Sequence, residues 1–266
     1  MEHDQEIIRQ AVRQRYGEIA KKKDTSCCGP ASSCCGGNNV MSADAIARAL
    51  GYSTKDLEGI PQGANMGLGC GNPKALAALK PGETVLDLGS GGGFDCFLAA
   101  RQVGENGRVI GVDMTPEMVS KARDNASQMG IANVEFRLGE IEHLPVADNS
   151  VDVILSNCVI NLAAEKAQVY RDAFRVLKAG GRLAISDVVA TRPLPEALQQ
   201  DLALRAACVS GAETIAHLTQ ILQQAGFADI RIQPKDESRT FIKEWVPGQK
   251  VEEYIVSATI EALKPA

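Results

Sequence analysis

The chain is 266 residues long, 45% hydrophobic and 23% charged, with a formal net charge of −5. That length exceeds a usual single domain of roughly 100–200 residues and falls short of two, so one large α/β domain with appendages is expected, stable without disulfide staples. The mild acidic excess argues against nucleic-acid binding as the main task, no run of ~18 apolar residues predicts a membrane span, and the charged start MEHDQEIIRQ is unlike a signal peptide, so a cytoplasmic setting is expected.

In chain order, Ile7, Ile8, Val12, Tyr16 and Ile19 share one face of a helix predicted over 4–20. A Cys/Gly/Ser/Asn stretch follows that holds Cys27, Cys28, Cys34 and Cys35; nothing in it can fill a core, and it reads as a loop. A short helix is predicted over 42–50 with Ser42 as its cap, and another over 73–79 with Pro73 in its first turn. Between them lies a Gly/Asn-rich loop around Cys70. From Glu83 the texture changes to short apolar runs alternating with helical patterns. Strands are predicted over 84–88, 108–113, 134–137, 151–156 and 182–188, with helices over 94–102, 116–129 and 163–177. That alternation indicates βαβ units and a parallel sheet. Helices over 198–209 and 214–226, a strand over 229–233 and a β-branched run over 253–260, read as a last antiparallel strand, complete the chain.

The turn after the first strand reads Asp87-Leu88-Gly89-Ser90-Gly91-Gly92-Gly93. Glycines there let the backbone approach a ligand closely. The dinucleotide fingerprint's last Gly or Ala is missing, and a carboxylate at Asp87 would repel a pyrophosphate but attract an amine. Asp113, ending the second strand, stands where an acid accepts ribose hydroxyls in nucleotide-binding folds. The plain alternative, that both acids merely cap turns, has to explain their joint placement on the right elements.

These residues, with Gly111-Val112-Asp113-Met114, resemble the Rossmann-like seven-stranded S-adenosylmethionine-dependent methyltransferases over about 81–188. The resemblance implies that Gly89, Ser90, Gly91 and Gly93 cradle the cofactor's methionine end, with Asp87 near its amino group. It implies that Asp113 holds the ribose beside Met114, Glu140 and Ile141 face the adenine, and Asn157 reaches the methionine moiety.

The acceptor must be sought among the eight cysteines. Cys96 lies in a helix and reads as inert core filler. Cys158 follows the fourth strand, at the edge where open α/β sheets bind ligands. Cys70 sits in a polar loop, and Cys208 at the end of a helix beyond the sheet. No Cys-x-x-Cys pair is present, and only His3, His143 and His217 could assist, so a structural zinc site lacks support. Clustered thiols suit a soft, thiophilic centre. Trivalent arsenic is one, and its lone pair attacks a methyl sulfonium without a general base.

The runs Met66-Gly67-Leu68-Gly69-Cys70-Gly71-Asn72-Pro73, Ser156-Asn157-Cys158-Val159-Ile160-Asn161-Leu162 and Cys208-Val209-Ser210-Gly211-Ala212, with Tyr16-Gly17 and the Cys-Cys-Gly run, resemble the arsenite S-adenosylmethionine methyltransferases. The resemblance spans nearly the whole chain. It implies that Cys158 and Cys208 coordinate arsenic(III), that Cys70 serves as a third ligand and disulfide partner, and that an N-terminal cysteine joins the relay. Cys34 or Cys35 is the favoured choice, with Cys27 and Cys28 competing. It also implies arsenite or its thiol adducts as substrate and a thiol reductant, thioredoxin or glutathione. The chain then divides into an N-terminal part with helices and the cysteine-rich loop (1–80), a cofactor-binding core (81–191) and a C-terminal arsenic-binding region (192–266). Two other readings stay open: a methyltransferase for a small organic acceptor, and a thiol-rich arsenic- or metal-binding protein.

Overall fold

Short apolar runs in the central strands build one sheet with two buried faces. The computed structural model describes residues 2–21, 42–61, 63–246 and 248–266. Cys27, Cys28, Cys34 and Cys35 lie outside the described residues. The strands are β1 (Thr84–Leu88), β2 (Arg108–Asp113), β3 (Val134–Leu138), β4 (Val151–Asn157), β5 (Leu177–Ala190), β6 (Ala228–Lys235) and β7 (Ile255–Leu263). They form a seven-stranded sheet in the order β3-β2-β1-β4-β5-β7-β6. The first five strands are parallel neighbours, and β7 runs antiparallel to both β5 and β6. This is the Rossmann-like α/β sheet expected of the class, and the closing strands of the 192–266 region are part of it.

Successive side chains of a strand face opposite ways. Leu86, Leu88, Ile110, Val112, Ile154 and Ile185 therefore pack on one face, while Val85, Val109, Val153 and Leu155 pack on the other. The first face is covered by α7 (Lys166–Val176) and α10 (Ile215–Gln224). The second is covered by α5 (Phe94–Val103) and α6 (Pro116–Met129), with Phe97 and Val119 buried in it. Both faces are closed, as a parallel sheet requires.

The sequence reverses direction across the sheet between β1 and β4, and the crevice at such a switch point binds ligands. α4 (Pro73–Ala77) joins α5 on the second face, with Ala77 buried there, while the remaining elements gather over that edge: α1 (Glu2–Lys21), α2 (Ala43–Ala49), α3 (Thr54–Leu57), α8 (Glu196–Gln199), α9 (Leu202–Arg205) and α11 (Arg239–Ile242). α1 is held over the sheet edge by charge: Arg9 and Arg13 meet Glu140 at 3.3 Å, and Lys21 meets Glu117 at 2.9 Å.

Two expectations change. The helix predicted over 198–209 is two single turns, α8 and α9. Asp201 breaks it, because its side chain caps Ala203 N (2.7 Å) and Leu204 N (3.1 Å) and so starts a new turn. The helix predicted over 163–177 begins only at Lys166; the residues before it form a 3-10 turn, Ile160–Leu162.

Candidate active site

A cavity lies at the ends of β1, β2 and β4, with Val12 and Tyr16 of α1 as its roof. At its floor the chain leaves β1 through Gly89, whose φ is +67°. A Cβ there would stand 2.5 Å from the Val159 side chain, so only glycine lets the loop pass. Asp113 shapes this loop: its Oδ2 accepts from Gly91 N at 3.0 Å and its Oδ1 from Thr115 N at 2.8 Å. Burial raises the Asp113 carboxyl above its usual range, although both N–H bonds pull it down.

Asp87 is fully enclosed and accepts a hydrogen bond from the Cys96 thiol at 3.2 Å. Cys96 is thus core, as expected, but it also steadies a cavity acid. Burial, and then the neighbouring Asp95, push the Asp87 carboxyl well above its usual range. Asp95 accepts from Tyr52 Oη at 2.6 Å and from Asn157 Nδ2 at 3.2 Å.

These residues fit S-adenosylmethionine. Two buried acids at one end of the cavity call for an ammonium group. Asp113 offers a carboxylate to hydroxyls, and Met114 and Ile141 are apolar walls. Ser90 Oγ is buried without a hydrogen-bond partner and lines the same cavity. Glu140 is directed elsewhere: it pairs with Arg9 and Arg13, while Glu142 lines the cavity.

The thiol group meets the cavity through Cys158, which lines it. Cys158 follows β4 with φ +58°, its N–H bonded to Ser186 O at 2.8 Å. Cys208 follows α9 with φ +62°. Both cysteines hold the left-handed conformation that favours glycine, and such strain concentrates at functional sites. Cys208 Sγ donates to Cys158 O at 3.0 Å, and Cys70 Sγ reaches Ser186 O at 3.5 Å. Cys70 Sγ, Cys158 Sγ and an Asp187 oxygen lie within 4.8 Å of one another. The predicted trio of Cys70, Cys158 and Cys208 is thus brought into one apolar cluster with Val188, Leu204 and Val209.

The thiols are protonated at rest. The bond from Cys208 lowers the Cys158 thiol, but the bond to Cys70 and burial outweigh it and push it well above its ordinary value. The bond to Cys158, then burial, raises Cys208; burial raises Cys70.

Asp187, Asn161, Tyr52 and Asp95 escaped the sequence reading. Asp187 accepts from Ile160 N (3.0 Å), Asn161 N (3.3 Å), Asn161 Nδ2 (2.9 Å) and Val188 N (2.8 Å), fixing the turn after Cys158. Burial pushes its carboxyl up to about 6 against those bonds. The only local signal was an acid interrupting an apolar strand.

The family of methyltransferase domains matches residues 79–226. The arsenite methyltransferase of Halobacterium salinarum is 54% identical over 272 aligned positions, which span all of this chain and 68% of that protein. The arsenite methyltransferase of Aquipseudomonas alcaligenes is 46% identical over 171 positions, 62% of this chain and 49% of that protein. The chain thus spans about two thirds of the first relative and about half of the second. A crystal structure of an arsenic(III) S-adenosylmethionine methyltransferase from Chlamydomonas reinhardtii superposes with a TM-score of 0.60 at 31% identity, covering 83% of this chain and 73% of that one.

Proposed function

The chain belongs to the arsenite methyltransferase family, and from that premise we propose that it transfers methyl groups from S-adenosylmethionine to trivalent arsenic held by Cys158 and Cys208. The observation that carries this reading is the convergence of three buried thiols in one cluster, of which Cys158 lines a cavity whose far end is acidic. When bound, S-adenosylmethionine supplies an electrophilic methyl group on a sulfonium.

The chain's own residues do the rest. Neutral thiols suit arsenite. Each As–OH leaves as water with one thiol proton, so two As–S bonds form and two waters depart without a general base. Arsenic keeps its lone pair, the nucleophile of the reaction. Cys70 stands beside Cys158 as a third sulfur. Asp87 and Asp95 offer charge to the donor's ammonium, and Asp113 offers a carboxylate to its ribose. Val12 and Tyr16 exclude water from above, which strengthens every electrostatic contact inside.

Methylation leaves arsenic formally pentavalent, and two electrons restore the trivalent state. Cys70 and a second thiol supply them by closing a disulfide with loss of two protons; Cys34 or Cys35 is the partner favoured under the family resemblance. A thioredoxin- or glutathione-type thiol reopens it. From the 1–80 part α1 roofs the site, the 81–191 core holds the donor, and the 192–266 part contributes Cys208. A reducing compartment such as the cytoplasm suits the free thiols. Among the described residues no helix is long and apolar enough to cross a membrane.

Binding is tested by thiol mapping. Arsenite is expected to protect Cys158 and Cys208 from alkylation in a mass-spectrometric peptide map while Cys96 is unchanged. Equal alkylation of Cys158 and Cys208 with and without arsenite would falsify the ligand assignment.

A further inference from the structure

The donor end and the thiol end of the cavity are joined by one side-chain amide. Asp95, buried at the donor end, has neutral partners: Tyr52 Oη donates to it at 2.6 Å and Asn157 Nδ2 at 3.2 Å. The same Nδ2 lies 2.9 Å from Gly71 O and 3.1 Å from Tyr52 Oη. On the other edge, Asn157 Oδ1 accepts from Cys70 N at 3.0 Å. One planar amide therefore holds the backbone around Cys70 and touches Asp95 at once. The Cys70 loop has no slack against it. A Cβ on Gly69 would stand 2.7 Å from Asn157 Nδ2, and one on Gly71 would stand 2.7 Å from Ser186 Oγ. Ser257 Oγ fixes the far side by donating to Cys70 O at 2.7 Å.

We propose that Asp95, Tyr52 and Asn157 are positioning residues that make arsenic capture at Cys70 depend on an amine-bearing ligand at the Asp87–Asp95 end of the cavity. The inference rests on the proposed function and adds an order of loading to it. An ammonium group beside these two neighbouring acids, which both line the cavity, relieves their repulsion and favours ionised Asp95. Hydrogen bonds to an ionised carboxylate are roughly twice as strong as neutral ones. The Tyr52 hydroxyl and the Asn157 amide are then held fast. Because the amide is rigid, fixing its nitrogen edge fixes its oxygen, and with it Cys70 N. The thiol is thereby kept beside Cys158. Linkage makes the effect reciprocal: arsenic on the thiols tightens the amine-bearing ligand by the same factor. Such coupling keeps the chain from sequestering arsenic when no methyl donor is at hand.

The test uses the full chain and S-adenosylhomocysteine, which carries the ammonium group but no transferable methyl. Arsenite affinity is measured by equilibrium dialysis with and without a saturating amount of it. We expect about fivefold or greater tightening in the native protein, at the lower end of ordinary coupling. Alkylation of Cys70 without arsenite should slow by a similar factor when the nucleoside is added. In Tyr52→Phe both ratios are expected to fall toward one while calorimetry still detects the nucleoside. A native ratio of one, or an unchanged ratio in Tyr52→Phe, overturns the relay. If Tyr52→Phe fails to fold, the Cys70 alkylation ratio of the native protein decides alone. Arsenite bound equally in both states contradicts only the relay, whereas no arsenite bound in either state contradicts the proposed function as well.

Discussion

Cys158→Ser and Cys208→Ser are each expected to lower methylarsenical formation by roughly a hundredfold or more while S-adenosylhomocysteine still binds. Two sulfurs on one arsenic make the second bond intramolecular, and effective concentrations of that kind raise affinity about 10²–10⁴-fold. A serine oxygen is a hard donor and does not replace a thiolate on a soft centre. The loss is chemical rather than structural. The left-handed backbone is as strained for serine as for cysteine, and a serine hydroxyl at 208 can still donate toward Cys158 O, as the thiol does at 3.0 Å. Burying the hydroxyl at either place costs about 1–3 kcal/mol on protein scales, which a chain of this size tolerates. Product analysis reads the methyl transfer, and calorimetry reads donor-site integrity. Methylation undiminished in both variants would remove Cys158 and Cys208 from the mechanism.

Gly211→Ala is expected to damage the thiol site from a distance without touching sulfur. A Cβ at 211 would stand 2.0 Å from Asn161 O and 2.9 Å from its carbonyl carbon. Both are backbone atoms, so no rotamer change relieves the overlap. Asn161 cannot retreat easily, because Asp187 takes its side-chain amide at 2.9 Å and Val188 O takes it at 2.7 Å. Either the Cys208 loop or the turn after Cys158 must move, and each carries a proposed arsenic ligand. Overpacking of this sort costs about 1–3 kcal/mol and sometimes more. At about 2–4 °C per kcal/mol for a chain of this length, the Tm should fall by several degrees. Arsenite affinity should fall with it, while binding of S-adenosylhomocysteine is retained. An unchanged Tm together with unchanged arsenite affinity would mean that the two loops are not packed against each other as described.

Much of the scaffold was legible because strands buried on both faces declare themselves as short apolar runs. β1 and β2 begin and end where the pattern of 84–88 and 108–113 places them. The rim of the sheet was harder. Asp201 looked like one polar residue on a helix face, yet its side chain starts a new turn and leaves Cys208 in a loop. Local periodicity carries no sign of that.

The site divides in the same way. Cys158 was marked by its place after the fourth strand, and Asp87 and Asp113 by theirs around the glycine turn. The meeting of Cys70 with Cys158 spans 87 intervening residues, and no spacing rule reaches so far; the family resemblance suggested it. Cys96 read as filler, because a thiol donating to Asp87 is indistinguishable in sequence from one packed in oil. Glu140 sits where the resemblance puts an adenine contact, but its carboxylate answers Arg9 and Arg13 of α1, whose docking the local sequence does not disclose. Asp95 and Asn157 matter through a shared amide network, and networks form only when the fold brings their members together.

Whether arsenic is the methyl acceptor is decided by incubating the full chain with arsenite, methyl-labelled S-adenosylmethionine and a thiol reductant, then separating the arsenicals and counting the label in each. Label in methylated arsenicals, formed in step with consumption of arsenite, is the predicted result. Arsenite recovered without label, while calorimetry shows S-adenosylmethionine bound to the same preparation, would contradict it.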